Sequence, residues 1–509
     1  MNIFKNFKND LPASIVVFFV AIPLCLGIAL ASGAPLFSGL IAGIIGGVVV
    51  GIISGSPLGV SGPAAGLAAI VLTAISDLGG FNIFLVAVVL GGAMQLLFGL
   101  AKAGVIANYF PSAVIKGMLT GIGLIIIIKQ VPYFFGYDAS LSGESLMDKI
   151  SVGSTAIALV SMAILILWES VLTKASKVFR LIQGPLVAVV VGIVYYVTTE
   201  GSESWGLTSS MLVSVPVNTN LDELVGSFAF PDFNAITNVQ VWIVAFTIAL
   251  VASLETLLCV EATDKLDEEK RITPKNRELI AQGIGNMFSG LIGGLPVTQV
   301  IVRSSANIQS GGKTKLSAII HGVFLMISVF LIPDMLNKIP LSVLAAILFV
   351  VGYKLAKPAL FKSMYGLGFK QFLPFVFTVI GIVFTDLLIG IGIGILVSIL
   401  FILVDNYKNS HRLIVEDVTD ESKKYRLVFS EEMTFVNKHP VIKELNNLPK
   451  QALLEIDLRM TKFIDHDIVE VIDSFLSTNS DKEINLKLLT ERGEFNNPED
   501  LYKAVFPSN

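Results

Sequence analysis

Charge is what this chain has least of. Only 15% of its 509 residues are Asp, Glu, Lys or Arg, while 53% are hydrophobic. Water-soluble domains run at about 25% and 45–50%. A wholly soluble protein of this length could not cover itself with so few charges. The shortage is uneven, because most Lys, Asp and Glu lie after residue 404 or in a few short loops. The composition therefore implies a polytopic membrane region over 1–407 and a soluble domain over 411–509. The only cysteines, Cys25 and Cys259, both lie in apolar segments, which excludes a disulfide framework and a cysteine metal cluster. No phosphate loop of the Walker type is present, so ATP hydrolysis is not the energy source. No set of nucleophile, base and orienting group is visible, and no basic stripe suggests nucleic acid. The expectation is a protein that is not an enzyme and needs no cofactor. The apolar run after Lys5 and Lys8 has no small-residue cleavage motif; it is read as a first span rather than a leader.

A spanning helix takes about 20 apolar residues. Fourteen segments qualify when short ones are admitted: 11–31, 36–54, 62–76, 81–101, 110–129, 152–172, 181–199, 238–259, 276–293, 298–310, 313–333, 339–356, 370–385 and 387–404. The loops supply a check. Loop 173–180 carries Lys174, Lys177 and Arg180; loop 260–275 carries Lys265, Lys270, Arg271 and Lys275; loop 354–370 carries Lys354, Lys357, Lys362 and Lys370. Loop 130–148 has Asp138, Glu144 and Asp148 and no basic residue, and loop 200–237 has Glu200, Glu203, Asp222, Glu223 and Asp232 and none either. That alternation fits the positive-inside rule with fourteen crossings and both termini cytoplasmic. The soluble tail alternates strand and helix patterns: strands at 425–430, 451–457 and 484–489, helices at 440–448, 467–476 and 498–504.

Two stretches break the apolar pattern in the same way. Gly59-Val60-Ser61-Gly62-Pro63-Ala64-Ala65-Gly66-Leu67 and Gly293-Gly294-Leu295-Pro296-Val297-Thr298-Gln299-Val300 each run small residues into a proline ahead of a short helix. The first falls in the third span and the second in the tenth, so each is third in its half of seven. An odd-numbered repeat inverts topology, and two helix N-termini would then meet near the middle of the membrane. Free N–H groups and aligned dipoles there favour an anion. With the helix starting just after Pro296, Thr298 falls in its first turn. Arg303 then stands about one and a half turns further on, as background charge behind the backbone of Val297 to Val300.

Several stretches together resemble the sulfate permease (SulP) family. They are Leu11-Pro12-Ala13 with Ala21-Ile22-Pro23-Leu24, Ser61-Gly62-Pro63, Ser253-Leu254-Glu255-Thr256-Leu257-Leu258 with Ala262-Thr263-Asp264, and Arg303-Ser304-Ser305-Ala306-Asn307 with Gly311-Gly312-Lys313-Thr314. In the tail, Glu455-Ile456-Asp457-Leu458 and Phe463-Ile464-Asp465 resemble a STAS domain. The resemblance implies a polytopic α-helical membrane protein of fourteen spans in a 7+7 inverted repeat. Spans 1–7 lie at about 11–199 and spans 8–14 at about 238–404, arranged as core and gate domains, with a cytoplasmic α/β STAS domain after them. It also implies a homodimer in the cell membrane, among lipid, that carries sulfate, bicarbonate, chloride or dicarboxylates. The third-span and first-span versions here look most like bacterial members associated with carbonic anhydrase, which tilts the expectation towards bicarbonate. The family's regulatory tails carry a phosphorylatable Ser where this chain has Asp465-His466-Asp467, so a phosphate switch is not expected there.

The site residues follow. Ser61, Gly62, Pro63, Ala64 and Ala65, with Val297, Thr298, Gln299 and Val300, would present backbone N–H groups and a few hydroxyls; tight helix packing is the plainer explanation of small residues. Leu24 and Ile28 would form an apolar wall, or simply core. Arg303 is a permanent cation whose burial costs at least ~2.5–3.5 kcal/mol in a bilayer, so it should face a cavity or a carboxylate. Glu255 would bind a cation or carry a proton, giving coupling to H⁺ or Na⁺, or else make a fixed helix contact. Sodium-using bicarbonate members resemble each other in having Asp there and Thr one turn later. Glu255 and Cys259 stand at those places here, and a thiol suits a hard cation poorly. His321 is read as a packing hydrogen bond, Lys116 and Lys129 as snorkelling residues, and Asp386 as an outer-turn cap. The expectation is secondary active transport of a small inorganic anion. The alternatives are an uncoupled exchanger or channel, a dicarboxylate carrier, and an anion sensor acting through the tail.

Overall fold

The computed structural model describes residues 6–105, 110–137, 149–175, 179, 183–202, 205–217, 226–385, 387–419, 422–478, 483–498 and 500–506. The loop charges Lys177, Arg180, Asp138, Glu144, Asp148, Glu203, Asp222 and Glu223, and also Asp386, lie outside the described residues. The chain forms two compact units, Met1–Ile395 and Leu396–Asn509. That division falls inside the last long apolar helix, earlier than the boundary expected at 407–411.

Each of the fourteen apolar segments holds a helix. In chain order these are α1 Phe7–Ala31, α2 Leu36–Ile53, α3 Ala65–Leu78, α4 Phe81–Leu100, α5 Ser112–Phe134, α6 Val152–Ala175, α7 Gly184–Thr199, α8 Val239–Leu266, α9 Lys275–Leu291, α10 Ile301–Gln309, α11 Leu316–Leu331, α12 Leu341–Leu355, α13 Phe369–Phe384 and α14 Leu387–Lys408. Among the described residues eight helices are long and apolar enough to cross a membrane, counting α12 together with the short helix that follows it. Four more, α3, α7, α11 and α13, are apolar but shorter. That leaves α9 and α10, whose polar residues turn inward. On α9, Glu278, Gln282, Asn286 and Ser289 follow one another at near-helical spacing and all are buried.

The two broken stretches do not begin helices where the sequence suggested. Ser61–Pro63 (β1) and Val297–Gln299 (β2) are extended and pair antiparallel, Ser61 with Gln299, Gly62 with Thr298 and Pro63 with Val297. Pro63 is the residue before the N-cap of α3, and Val300, not Pro296, is the N-cap of α10. Pro296 lies two residues before Thr298, and that residue sits mid-strand. Glycine on α2 makes room for the crossing: a Cβ on Gly46 would lie 2.5 Å from the Ser61 carbonyl carbon.

The second unit carries a five-stranded sheet in the order β3-β4-β6-β8-β9, from His411–Thr419, Ser422–Phe429, Leu453–Asp457, Asn485–Thr490 and Gly493–Asn496; Glu432–Met433 (β5) and Phe463–Ile464 (β7) pair separately. The central pairs β4–β6 and β6–β8 are parallel and the outer ones antiparallel. Helices α15 Lys438–Asn446, α16 His466–Thr478 and α17 Leu501–Val505 accompany it, and Leu427, Ile456, Leu488, Ile468 and Ile472 share its core. Asp465 accepts from the Asp467 N–H at the start of α16. The strands β3 and β9 had no counterpart in the sequence reading. Both are edge strands, and an edge that buries little shows no clean alternation of apolar residues.

Asp457 closes β6. It accepts from Arg459 at 2.7 and 2.9 Å and from Arg426 at 2.7 Å. Arg459 first, and then Arg426, hold its carboxyl well below the usual carboxylate range. A depressed carboxyl adds stability above its unfolded pKa and loses it as pH falls through the folded value. Asp457→Asn should therefore destabilise the second unit at neutral pH by about 1.5–3 kcal/mol and flatten its acid response. Hydrogen exchange at β6 in the full chain, corrected for intrinsic rates, measures both. Protection in the variant equal to wild type at every pH would contradict this.

Candidate functional site

Antiparallel pairing fixes how the two short helices start. β1 feeds α3 from one end of the ladder and β2 feeds α10 from the other, so their N-termini lie about 7 Å of strand apart. Both N-caps, Ala64 and Val300, are extended and give no side-chain cap. The first-turn N–H groups are therefore left for other partners. Two groups of α8, one turn apart, face these helix starts. The Glu255 carboxylate lies against Gly66, where a Cβ would be 2.5 Å from Oε2, and Cys259 lines the same cavity as Ile301. Glu255 Oε2 is buried with no partner.

A cavity of about 230 Å³ opens against these helix ends. Of the residues singled out from sequence, Leu24, Ile28, Pro63, Ala65, Val300, Arg303, Glu255 and Cys259 line it. Ser61, Gly62, Ala64, Val297, Thr298 and Gln299 do not, and each is fixed in the crossing instead. Ser61 Oγ accepts from Gln282 Nε2 at 2.7 Å. Val297 is bonded through both N–H and C=O to the Asn286 amide, at 2.5 and 3.0 Å. Thr298 and Gln299 are fully buried, with Gln299 Nε2 on Thr263 Oγ1 at 3.1 Å. The backbone from Val297 to Gln299 is a strand spent on pairing, so it is not the N-terminus of a helix and offers no helix dipole.

Arg303 is correspondingly closer to the chemistry than its sequence spacing suggested. Because α10 starts at Ile301, Arg303 is its third residue, in the first turn and on the cavity. Its side chain is 1% exposed. Nη2 donates to Cys25 Sγ at 3.3 Å, while Nε and Nη1 are buried without a partner. Among the described residues no carboxylate forms an ion pair with it, so the alternative of a structural salt bridge is not seen. Nη1 lies over Gly62, where a Cβ would be 2.1 Å away. His321 makes a local bond to the Ala318 carbonyl, the packing contact expected of it. The sequence reading missed Gly66, Ile301 and Val302 on the cavity, its far wall of Leu119, Val351 and Leu355, and the α9 stripe. The stripe was legible as Glu278, Gln282 and Asn286 at intervals of four in a weakly apolar segment.

Broken helices facing a cavity within a bundle of apolar helices define a membrane transporter. The comparisons narrow this. The model of the sulfate permease family matches residues 7–378, and this chain belongs to that family. It is 27% identical to the bicarbonate transporter BicA of Picosynechococcus sp. over 84% of this chain and 75% of that one. It is 29% identical to the putative sulfate transporter YvdB of Bacillus subtilis over 78% and 74%. Among solved structures, the transmembrane domain of a cyanobacterium bicarbonate transporter BicA superposes with a TM-score of 0.66 at 26% identity, covering 76% of this chain and 98% of that one. The murine Solute Carrier 26 family member A9 anion transporter, in the inward-facing state, shares the fold, with a TM-score of 0.77 at 15% identity over 96% and 86%. These relatives are transporters by name, not enzymes.

Two glycines should be intolerant for different reasons. A Cβ on Gly66 would sit 2.5 Å from Glu255 Oε2, and one on Gly62 would sit 2.1 Å from Arg303 Nη1. Gly66→Ala and Gly62→Ala should each cut anion uptake by proteoliposomes by about fivefold or more, given ~1–3 kcal/mol of overpacking. Gly80→Ala, where nothing lies within 4 Å, serves as the control. Wild-type uptake by either of the first two would show that the cavity is misplaced.

Proposed function

We propose that this chain is a secondary active transporter of a small inorganic anion, bicarbonate or sulfate, with its site at the cavity under α3 and α10. The observation that carries the reading is Arg303. A guanidinium buried in the first turn of a helix is set against the positive end of that helix's dipole, and among the described residues no carboxylate pairs with it. A transported anion would supply the missing charge while accepting hydrogen bonds from the unpartnered guanidinium nitrogens. The relatives' printed substrates, bicarbonate and sulfate, support the anion's class.

Glu255 is the proposed coupling group. It lines the same cavity as Arg303, and its free Oε2 can take H⁺ or contribute to a Na⁺ site. Oxygen is a good ligand for Na⁺, but Cys259 one turn on offers sulfur, which favours H⁺. We read the fourteen helices as fourteen spans in a 7+7 inverted repeat, in the cell membrane, with both termini cytoplasmic. The basic loops and the antiparallel β1–β2 crossing support that arrangement. In this reading α1, α3, α8 and α10 move with the core against a gate, residues 411–509 form a STAS domain, and the working unit is a homodimer.

Uptake of labelled bicarbonate, sulfate and fumarate into proteoliposomes under imposed H⁺ or Na⁺ gradients tests this. Arg303→Ala should weaken anion affinity by at least about 30-fold, the ratio given by ~2 kcal/mol. Glu255→Gln should leave exchange of anion for anion but remove accumulation driven by the gradient. Undiminished affinity in the first variant would remove the site assignment, and intact accumulation in the second would remove the coupling. Fumarate uptake without the other two would replace the substrate class.

A further inference from the structure

Between α12 and α13 the chain makes a nine-residue helix, Pro358–Gly366. From Lys354 to Lys370 it carries four lysines and no Asp or Glu. One face is anchored. Met364 is fully buried, and Phe361 meets Phe375 of α13 edge-on at 5.0 Å. The rest of the segment is not covered. Tyr365 is 61% exposed, Leu367 59% and Phe369 64%, and Tyr365 is held edge-on against Phe372 at 5.3 Å. Held, outward-facing aromatic rings beside ammonium groups suit neither bulk water nor the hydrocarbon layer. They suit the headgroup zone, where ring bodies bury and polar tips stay wet.

The lysines differ. Lys354 is committed to Glu169 at 2.8 Å. Lys357, the N-cap of the short helix, and Lys362, three residues before Tyr365, are both exposed and form no ion pair among the described residues. Two free cations next to an interfacial aromatic cluster, with no acid in the segment, match a phosphodiester attached to an acyl chain. We infer that the segment 354–370 is a binding site for anionic phospholipid headgroups, with Lys357 and Lys362 on the phosphate and Tyr365 and Phe369 at the glycerol and upper acyl level. The site has a route to transport, because Val351 and Leu355, on the last turn and a half of α12, line the cavity. A headgroup on Lys357 would tether that end of α12.

The test is retention of lipid by the purified full chain, read by native mass spectrometry from micelles containing phosphatidylglycerol or phosphatidylcholine. Phosphatidylglycerol should be retained preferentially. Each lysine removed should weaken retention about fivefold, so Lys357→Gln with Lys362→Gln should give about 25-fold. Lys354→Gln should change it little, and arginine at 357 and 362 should restore it. Equal retention of the two lipids, or no effect of the double variant, would overturn the proposal. Displacement by inorganic phosphate or glycerol 3-phosphate would also overturn it, by showing a free-anion site. Lipid retention is read without transport, so it stands or falls separately from the reading of the cavity.

Discussion

Six residues of non-helical backbone carry the first unit. In an apolar surrounding every N–H and C=O left out of a helix must find a partner, and irregular backbone survives there only where protein supplies one. β1 and β2 satisfy part of that need in each other, and the rest comes from side chains. Asn286 pairs with both polar groups of Val297 as a neighbouring strand would. Gln282 reaches Ser61, Ser289 reaches the Leu295 carbonyl, and Ser304 receives the Val60 N–H at 3.0 Å. Glu278, deeper in the same stripe, takes the Ser54 hydroxyl at 2.6 Å. The polarity that makes α9 a poor membrane helix is what lets β1 and β2 stay extended.

Once the strands are held, the electrostatics follow. The crossing ends two helices at a cavity without capping them, so both present partial positive charge. Arg303 adds a full one. Each dipole contributes ~0.3–1 kcal/mol towards an anion, whereas a buried guanidinium costs more than that to bring in. The arginine therefore dominates the field, and the helix ends add direction and hydrogen bonds. On the opposite wall α8 provides Glu255 and Cys259, which line the cavity together with the first-turn residues Gly66 and Ile301. In the proposed mechanism an anion at those helix starts would lie beside the Glu255 carboxylate, and that proximity would link the charge state of Glu255 to anion occupancy.

Much of this was legible in the sequence, and the misses have causes. Apolar segment length located α1 to α14 but not the helix Pro358–Gly366, which lies in the basic loop 354–370, and loop charge justified keeping α9 and α10 when hydropathy alone would have dropped them. The two proline-led breaks marked the crossing. What could not be read was the pairing between them, since three-residue strands have no periodicity and their partner lies more than 230 positions away. Missing the pairing moved the start of α10 from Val297 to Ile301, and with it the assignment of donors. Thr298 and Gln299 went from site to scaffold, and Arg303 went from background to cavity wall. Gly66 was overlooked for a related reason: its role is the space it leaves for Glu255, which only the fold reveals.

Hydrogen bonding also divides the first unit in a way that bears on motion. The crossing ties α2, α3, α8, α9 and α10 together. A second knot fixes their ends: buried Asp10 of α1 accepts the Lys313 and Thr314 N–H groups at 2.7 and 3.0 Å, and Arg271 joins Asp267 to the Lys313 carbonyl at 2.7 and 2.9 Å. On the other side Thr120 of α5 reaches the Leu355 carbonyl of α12 at 3.3 Å. These bonds stay within two groups of helices, α1–α4 with α8–α11 on one side and α5 with α12 on the other. Their contact is apolar, as where Gly27 of α1 faces Leu348 of α12. Apolar contacts are non-directional and trade one neighbour for another at little cost, whereas bonded networks must break to move. The cavity lies on that boundary, with Arg303 and Glu255 on the bonded body and Leu119, Val351 and Leu355 on the other. If the two bodies slide, the charged groups keep their mutual geometry, and what changes is the apolar wall that closes over the anion.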